Sequence, residues 1–276
     1  MSIKYAYLGP AGTFTESALH LVAKPDDQLI PYVNVTATLD AVRKSECDRA
    51  LVPIENSVEG VVARTLDELA MGVPLVITGE VTLPVNFALM TLAKPDLVKI
   101  ESIATHPHAE AQCRTYLSKN FPHAQIIETN STAAAAKGLL EGKFDAAIAA
   151  PIAAKNYGLQ IQSENIGDNP SAVTRFVLVE KPGREVSPTG NDRTSLAVFI
   201  AIDHAGALLE ILTEFAKQNV NLSFIQSRPT GKELGHYHFI IDAEGHIKDL
   251  KISEAITNLK RICEDVRFLG SYPRAV

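Results

Sequence analysis

Four short segments concentrate the residues whose types and spacing could do chemistry. Val52-Pro53-Ile54-Glu55-Asn56-Ser57-Val58-Glu59-Gly60 sets a carboxylate, an amide and a hydroxyl side by side after an apolar run. Asp168-Asn169-Pro170-Ser171-Ala172-Val173-Thr174-Arg175-Phe176 ends in a hydroxyl beside a guanidinium. That guanidinium offers a bidentate fork to a carboxylate, and an anionic substrate of an acidic protein needs such a local positive site. Gly9-Pro10-Ala11-Gly12-Thr13-Phe14-Thr15 permits close backbone approach, and the helix after it offers free N–H groups to an anion. His106-Pro107-His108, with Gln112 and Cys113 behind it, is the fourth.

Each segment also has a plainer structural reading. A Gly/Pro turn commonly precedes a helix, Asn56 or Ser57 can cap one, and Thr-Arg pairs often only flank a sheet. His106-Pro107-His108 lacks a matching ligand cluster, so an N-cap followed by an N1 proline is preferred to a metal site. Cys113 has no paired base and reads as a buried apolar residue rather than a nucleophile. No GxSxG elbow, P-loop, HExxH or GxGxxG occurs in the chain. Dinucleotide redox chemistry and the plans those motifs serve therefore have no basis in the sequence.

The elements that position these segments alternate in type. Ile3–Leu8 reads as a strand, and Thr13 with Glu16 forms a capping box for a helix over Phe14–Ala23. Strand-like runs at 29–33 and 50–54 are each followed by a helical pattern, the second ending at Gly72. Leu75–Val81 and Asn86–Leu92 are consecutive strands with no helix between, which marks a crossover into a second lobe. Strand and helix then alternate again, with helices expected over 109–119, from Ser131 and over 152–157, before a strong strand at Thr174–Glu180. This pattern predicts two α/β lobes around a cleft, with lobe one about 1–80 and 160–181 and lobe two about 81–159. All four segments fall at strand C-termini, where ligands bind in open α/β sheets. Residues 182–193 are Pro- and Gly-rich and read as a linker. Beyond it, 194–276 reads as βαββαβ, a ferredoxin-like arrangement, with a turn at 230–235 between its middle strands.

Composition narrows the function classes. The 276 residues hold 26 Lys plus Arg against 32 Asp plus Glu, a net charge of −6, which argues against a nucleic-acid protein. No apolar run approaches the roughly 18 residues of a membrane span. Met1–Tyr5 lacks the apolar core of a secretory signal, so a cytoplasmic protein is expected. Cys47, Cys113 and Cys263 are too widely spaced for a disulfide framework or a zinc site.

Taken in order, the segments resemble the prephenate dehydratase family. The resemblance rests on Gly9–Phe14, Val52–Ser57 with Glu59-Gly60, His106-Pro107 with Gln112, Ser131-Thr132-Ala133 and Thr174-Arg175-Phe176. The C-terminal unit resembles an ACT domain through Gly206-Ala207-Leu208-Leu209 and Gln226-Ser227-Arg228-Pro229, where Gln226 stands in place of the family's usual Glu. The resemblance implies a type II periplasmic-binding-protein-like catalytic domain over 1–181 and an ACT regulatory domain over 194–276. It implies conversion of prephenate to phenylpyruvate, carbon dioxide and water within phenylalanine biosynthesis, with no cofactor or metal.

Thr174 is expected to deliver or relay a proton to the departing hydroxyl, with Asn56 and Ser57 as catalytic companions. Thr13, Phe14, Glu55, Arg175 and Phe176 are expected at the substrate, with Arg175 on a carboxylate. Phenylalanine is expected between two ACT copies, on the 206–209 and 226–229 loops, in a homodimer or homotetramer. Ala172 sits where related proteins often carry a polar residue, so a substrate contact is supplied elsewhere or is missing. The other readings are an arogenate dehydratase and a non-catalytic amino-acid or solute sensor.

Overall fold

The computed structural model describes residues 2–93, 99–201, 204–231 and 237–275. Most of the expected turn at 230–235 lies outside them. In the first lobe, β1 (Lys4–Leu8), β2 (Gln28–Tyr32), β3 (Arg49–Asn56), β5 (Val76–Pro84) and β11 (Val173–Glu180) form a sheet in the order β2-β1-β3-β11-β5. The two-residue β4 (Gly60–Val61) doubles back on β3. β1 runs parallel to β2 and β3, whereas β11 returns antiparallel between β3 and β5. Helices α1 (Phe14–Leu19), α2 (Val35–Arg43) and α3 (Ala63–Met71) cover the sheet.

The second lobe holds β6 (Ala88–Thr91), β7 (Ser102–Thr105), β8 (Gln125–Glu128), β9 (Ala146–Ala149) and β10 (Gln160–Ser163), in the order β10-β6-β9-β7-β8. Its helices are α4 (Pro107–Gln112), α5 (Arg114–Asn120), α6 (Thr132–Leu140) and α7 (Pro151–Tyr157). Small side chains let α6 lie close on its sheet: Ala133, Ala135 and Ala136 are fully buried. Gly138 is required there because a Cβ would lie 2.4 Å from the Phe144 ring.

Two local expectations are corrected. The single helix over 109–119 is broken at Cys113, whose φ of −119° leaves the helical region. The passing chain takes up the freed groups: Asp168 N–H donates to Gln112 O at 2.6 Å, and the Asp168 carboxylate accepts from Thr115 N–H. The return to the first lobe comes after Ser163 and not at about 160. Gly158 ends α7 in the left-handed region, and the chain then adds β10 antiparallel to β6 at the edge of the second sheet.

The C-terminal unit runs β12 (Asp192–Ile200), α8 (Ala207–Lys217), β13 (Leu222–Pro229), β14 (Tyr237–Glu244), α9 (Leu250–Ile262) and β15 (Cys263–Pro273). Its four antiparallel strands lie in the order β13-β14-β12-β15, with α8 and α9 on one face. β12 opens at Asp192, inside the expected linker. The Asp192 carboxylate holds the preceding turn through Thr189 N–H (2.7 Å) and Gly190 N–H (3.0 Å).

The other face of this sheet is buried on the first lobe. Ala197, Ile240, Leu269 and Tyr272 share one apolar layer with Leu75, Ile77, Val177 and Val179. Successive strand residues point to opposite faces, so β11 serves two cores. Val177 and Val179 meet the C-terminal unit, while Phe176 packs under α1 with Tyr5, Tyr7 and Leu19. β15 comes so near β5 that a Cβ on Gly270 would stand 2.1 Å from Ile77 O.

Candidate active site

The cleft lies where the C-termini of β3 and β7 and the first residues of β11 and α6 converge. Thr174 and Asn56 face each other across the β3–β11 pairing. Asn56 Nδ2 donates to Thr174 Oγ1 at 2.8 Å. The other end of the amide is fixed, since Asn56 Oδ1 accepts from Val58 N–H (2.8 Å) and Glu59 N–H (2.9 Å). Two backbone donors on one atom settle which end is oxygen. Thr174 Oγ1 thus accepts from the amide, which leaves its own proton to be donated elsewhere. A cavity of about 170 Å³ opens beside this pair, lined also by Phe14, Phe87, His106, Gln112 and Thr132.

Two contacts draw the lobes together around it. Phe14 of α1 meets Phe87 edge-on at 5.4 Å. Glu59 of the first lobe receives two groups from α4 of the second: Gln112 Nε2 donates to its Oε1 at 3.0 Å, and His108 Nδ1 lies 3.3 Å from its Oε2. His106 is the N-cap of α4, with Pro107 at N1, as its sequence suggests. Burial pulls the His106 pKa below the usual 6.5, helped by nearby His108 and opposed by Glu59 and Glu128.

The Gly9–Thr13 segment is tied into the lobe contact. Thr13 caps α1: its Oγ1 donates to Leu8 O at 3.2 Å and lies 3.4 Å from Glu16 N–H. The Glu16 carboxylate accepts from Gly12 N–H at 2.5 Å and from Asn156 Nδ2 of α7 at 2.8 Å. The capping box is therefore shifted by one residue and extended into the second lobe. A second cavity, of about 390 Å³, lies next to Pro10, Tyr32, Asn130 and Ser131.

Other expected site residues are placed elsewhere. Ser57 Oγ accepts from Val173 N–H at 3.0 Å and so joins the ends of β3 and β11. Phe176 is buried beneath α1. Arg175 does not face the cleft. It follows Thr174 on a strand, so its side chain leaves by the opposite face. There its Nη1 lies 2.9 Å from Asp242 Oδ2 of β14 and 3.3 Å from Glu80 Oε2 of β5, and its Nε lies 3.3 Å from Glu55 Oε2. Glu55 is drawn to that same side. Burial opposes the charge on Arg175, but Asp242, Tyr272, Glu80 and Glu55 outweigh it and keep the guanidinium protonated.

In the C-terminal unit Gly206 occupies the left-handed region at φ +99° and starts α8, with Glu210 N–H bonded to its carbonyl. Ala207 is buried, Leu208 packs against the unit's core and Leu209 is 66% exposed. A cavity of about 360 Å³ lies beside them, lined by Ile200, His204, Ala207, Glu210 and Cys263 among others. Gln226, Ser227 and Pro229 lie on β13, and the Gln226 amide donates to Ser227 O. Arg228 makes a two-pronged pair with Asp67 of α3, at 2.9 and 2.7 Å, and so reaches the first lobe.

Glu59, His108 and Thr132 lie within the segments noted in the sequence but were given no place at the site, and Asp242 was not noted at all. For Asp242 a signal existed: it interrupts the apolar run Phe239-Ile240-Ile241. Among the described residues no group of three or more His, Cys, Asp or Glu is arranged to hold a metal. No helix of the described residues is long and apolar enough to cross a membrane.

Comparison with known proteins adds independent findings. The family model described as prephenate dehydratase matches residues 5–184, and that described as ACT domain matches residues 194–261. A prephenate dehydratase of Amycolatopsis methanolica is 45% identical over 273 residues, covering 99% of this chain and 89% of that one. The crystal structure of a prephenate dehydratase from Arthrobacter aurescens in complex with L-Phe superposes with a TM-score of 0.94 at 49% identity, covering 99% and 90% of the two chains. A structure described as a novel type of quorum-quenching acylase superposes with a TM-score of 0.87 at 27% identity, covering 99% and 98%.

Proposed function

The chain belongs to the prephenate dehydratase family, and we propose that Thr174 delivers the proton on which its reaction depends. The enzyme is a lyase that converts prephenate to phenylpyruvate, carbon dioxide and water, and its ACT domain makes it subject to phenylalanine. The acylase-like neighbour shares the fold at far lower identity, and a shared fold does not carry an activity.

In the reaction the bond between the ring and its carboxylate breaks. That electron pair moves through the ring and expels the distal hydroxyl, which leaves as water once protonated. Aromatisation drives the step, so the protein must supply a donor at the hydroxyl and anchorage for the side-chain carboxylate. It must also solvate the departing carboxylate weakly. The observation that carries the assignment is the 2.8 Å bond from Asn56 Nδ2 to Thr174 Oγ1. An oxygen that already accepts aims its own hydrogen away from its donor, here toward the cleft. A threonine hydroxyl is a weak acid, so it acts as a positioned hydrogen-bond donor or as a relay, regaining from water in the cleft any proton it passes to the departing hydroxyl.

With Arg175 turned away, substrate carboxylates are held by uncharged or titratable donors: Gln112, Thr132, the N-terminal turn of α6 and His106. Phe14 and Phe87 supply an apolar wall, which suits loss of a carboxylate as neutral carbon dioxide. Phenylalanine binds at the Gly206 loop, with the Gln226–Pro229 strand of a second copy closing over it in a homodimer or homotetramer. Exposed Leu209 supports a contact there. A cytoplasmic location suits a biosynthetic enzyme.

The test is incubation with prephenate while phenylpyruvate absorbance is followed, with arogenate in a parallel reaction. Binding of prephenate without turnover would support the sensor reading. A higher kcat/KM for arogenate would move the substrate assignment to that compound.

A further inference from the structure

Arg175 sits in a buried charge cluster that neither domain completes alone. The first lobe supplies Arg175, Glu80 and Glu55, and the regulatory sheet supplies Asp242 and Arg193. The side chains of Arg175, Glu80 and Asp242 are only 9%, 3% and 1% exposed. Arg193 pairs with Glu80 and lies 3.8 Å from Asp242, so two cations and two carboxylates interlock with Glu55 at the margin. Asp242 is held in turn by Ser195 Oγ at 2.5 Å, itself bonded to the Tyr272 hydroxyl. The guanidinium also lies 5.5 Å from the ring of Phe224, across from Asp242 on β13. That is the strand that carries Gln226–Pro229.

A buried ion pair has little freedom to follow one partner without the other, because separating them leaves a charge without compensation. Arg175 is therefore bound to the position of β14, and Thr174 is its immediate neighbour along the backbone. We infer that Arg175 is a positioning residue that couples the regulatory sheet to the cleft, its pair with Asp242 setting where the Thr174 hydroxyl stands. This rests on the reading of Thr174 as proton donor and of phenylalanine as effector of the ACT unit. A shift of β13 and β14 on effector binding moves Asp242, and Arg175 transmits that shift to the hydroxyl.

The decisive variant is Asp242→Asn in the full chain, assayed with prephenate with and without saturating phenylalanine, alongside calorimetric titration of phenylalanine. The expected result is a kcat lowered about fivefold, within the range for residues on a coupling route, with KM nearly unchanged. Phenylalanine should bind with parental affinity yet change kcat/KM at least about fivefold less than in the parent. A parental phenylalanine response in Asp242→Asn overturns the inference, and so does a raised KM at unchanged kcat. Should Asp242→Asn fail to fold, Phe224→Leu keeps every charge and should also blunt the response. A full response there overturns the inference equally. A parent that makes phenylpyruvate but ignores phenylalanine removes the coupling and leaves the dehydratase standing. A parent that makes no phenylpyruvate removes both.

Discussion

Replacing Thr174 by valine tests the proton-delivery assignment with the least change of shape. The residue is 8% exposed and its Oγ1 accepts one hydrogen bond, from Asn56 Nδ2. Valine removes two things. The donor to the departing hydroxyl is lost where charge develops, and such donors are worth about 3–4 kcal/mol, or 10²- to 10³-fold in kcat. The Asn56 amide also loses its acceptor, which costs about 1–2 kcal/mol of folding stability. KM should stay within about threefold, because the ground-state hydroxyl needs no proton.

Asn56→Ala removes the orienting amide and, with it, the acceptor of Val58 and Glu59 N–H, a loss read separately in urea unfolding. It should lower kcat about tenfold, the worth of one hydrogen bond of about 1–1.5 kcal/mol. The double variant should be no slower than Thr174→Val alone, because Asn56 acts through a hydroxyl no longer present. Phenylpyruvate formation gives kcat and KM, and urea unfolding gives the stability change. Parental kcat in Thr174→Val, or multiplicative losses in the double variant, would refute the reasoning.

Three further outcomes follow from the geometry. Glu59→Ala removes the carboxylate shared by Gln112 and His108, and should raise KM about fivefold, the equivalent of about 1 kcal/mol; an unchanged KM would show that this contact does not hold the lobes together on substrate. Gly270→Ala places a Cβ against Ile77 O at φ +145°, and should destabilise the protein by about 3 kcal/mol in urea unfolding, whereas a parental midpoint would contradict the close approach of β15 to β5. His238 is fully buried, stacks on Phe199 at 5.0 Å, and has no hydrogen-bond partner at either ring nitrogen among the described residues. Burial, aided by Arg228 and opposed by Asp67, pulls its pKa below 6.5. The unfolded imidazole therefore takes up a proton first, so stability is complete above about pH 6.5 and falls as the pH drops. His106 acts with the same sign. His238→Phe should lose less stability than the parent between pH 7 and pH 5, and equal losses would exclude His238 as a source of acid sensitivity.

The strand and helix alternation was legible because apolar runs and Gly or Pro punctuation announce α/β units directly. The βαββαβ order of the C-terminal unit was equally plain. Thr174 and Asn56 stood out as types, but only the antiparallel register of β11 on β3 brings residues 118 positions apart to 2.8 Å. Arg175 shows what a motif by itself does not place. Thr174 and Arg175 are adjacent in a strand, so period-2 geometry forbids both from facing one cleft. A carboxylate-binding role for Arg175 overlooked that constraint. The carboxylate it does meet, Asp242, lies in another domain, and no local spacing could link the two. The break at Cys113 was hidden for a similar reason, since the chain that stabilises it arrives from Asp168.

The apolar layer shared between the first lobe and the C-terminal sheet also orders events at the ribosome. β11 completes the catalytic sheet at Glu180, yet the β5 and β11 part of the face that α2 and α3 leave open is fully covered only when β15 ends at Pro273. At about 5–20 residues per second, the intervening stretch takes roughly 5–20 s to synthesise. During that interval Leu75, Ile77, Val177 and Val179 face water on the nascent chain. A gene truncated after the catalytic segment would make that interval permanent. Its product would carry an unclosed sticky face, and transplanting a foreign regulatory unit would require recoding both sides of the layer together.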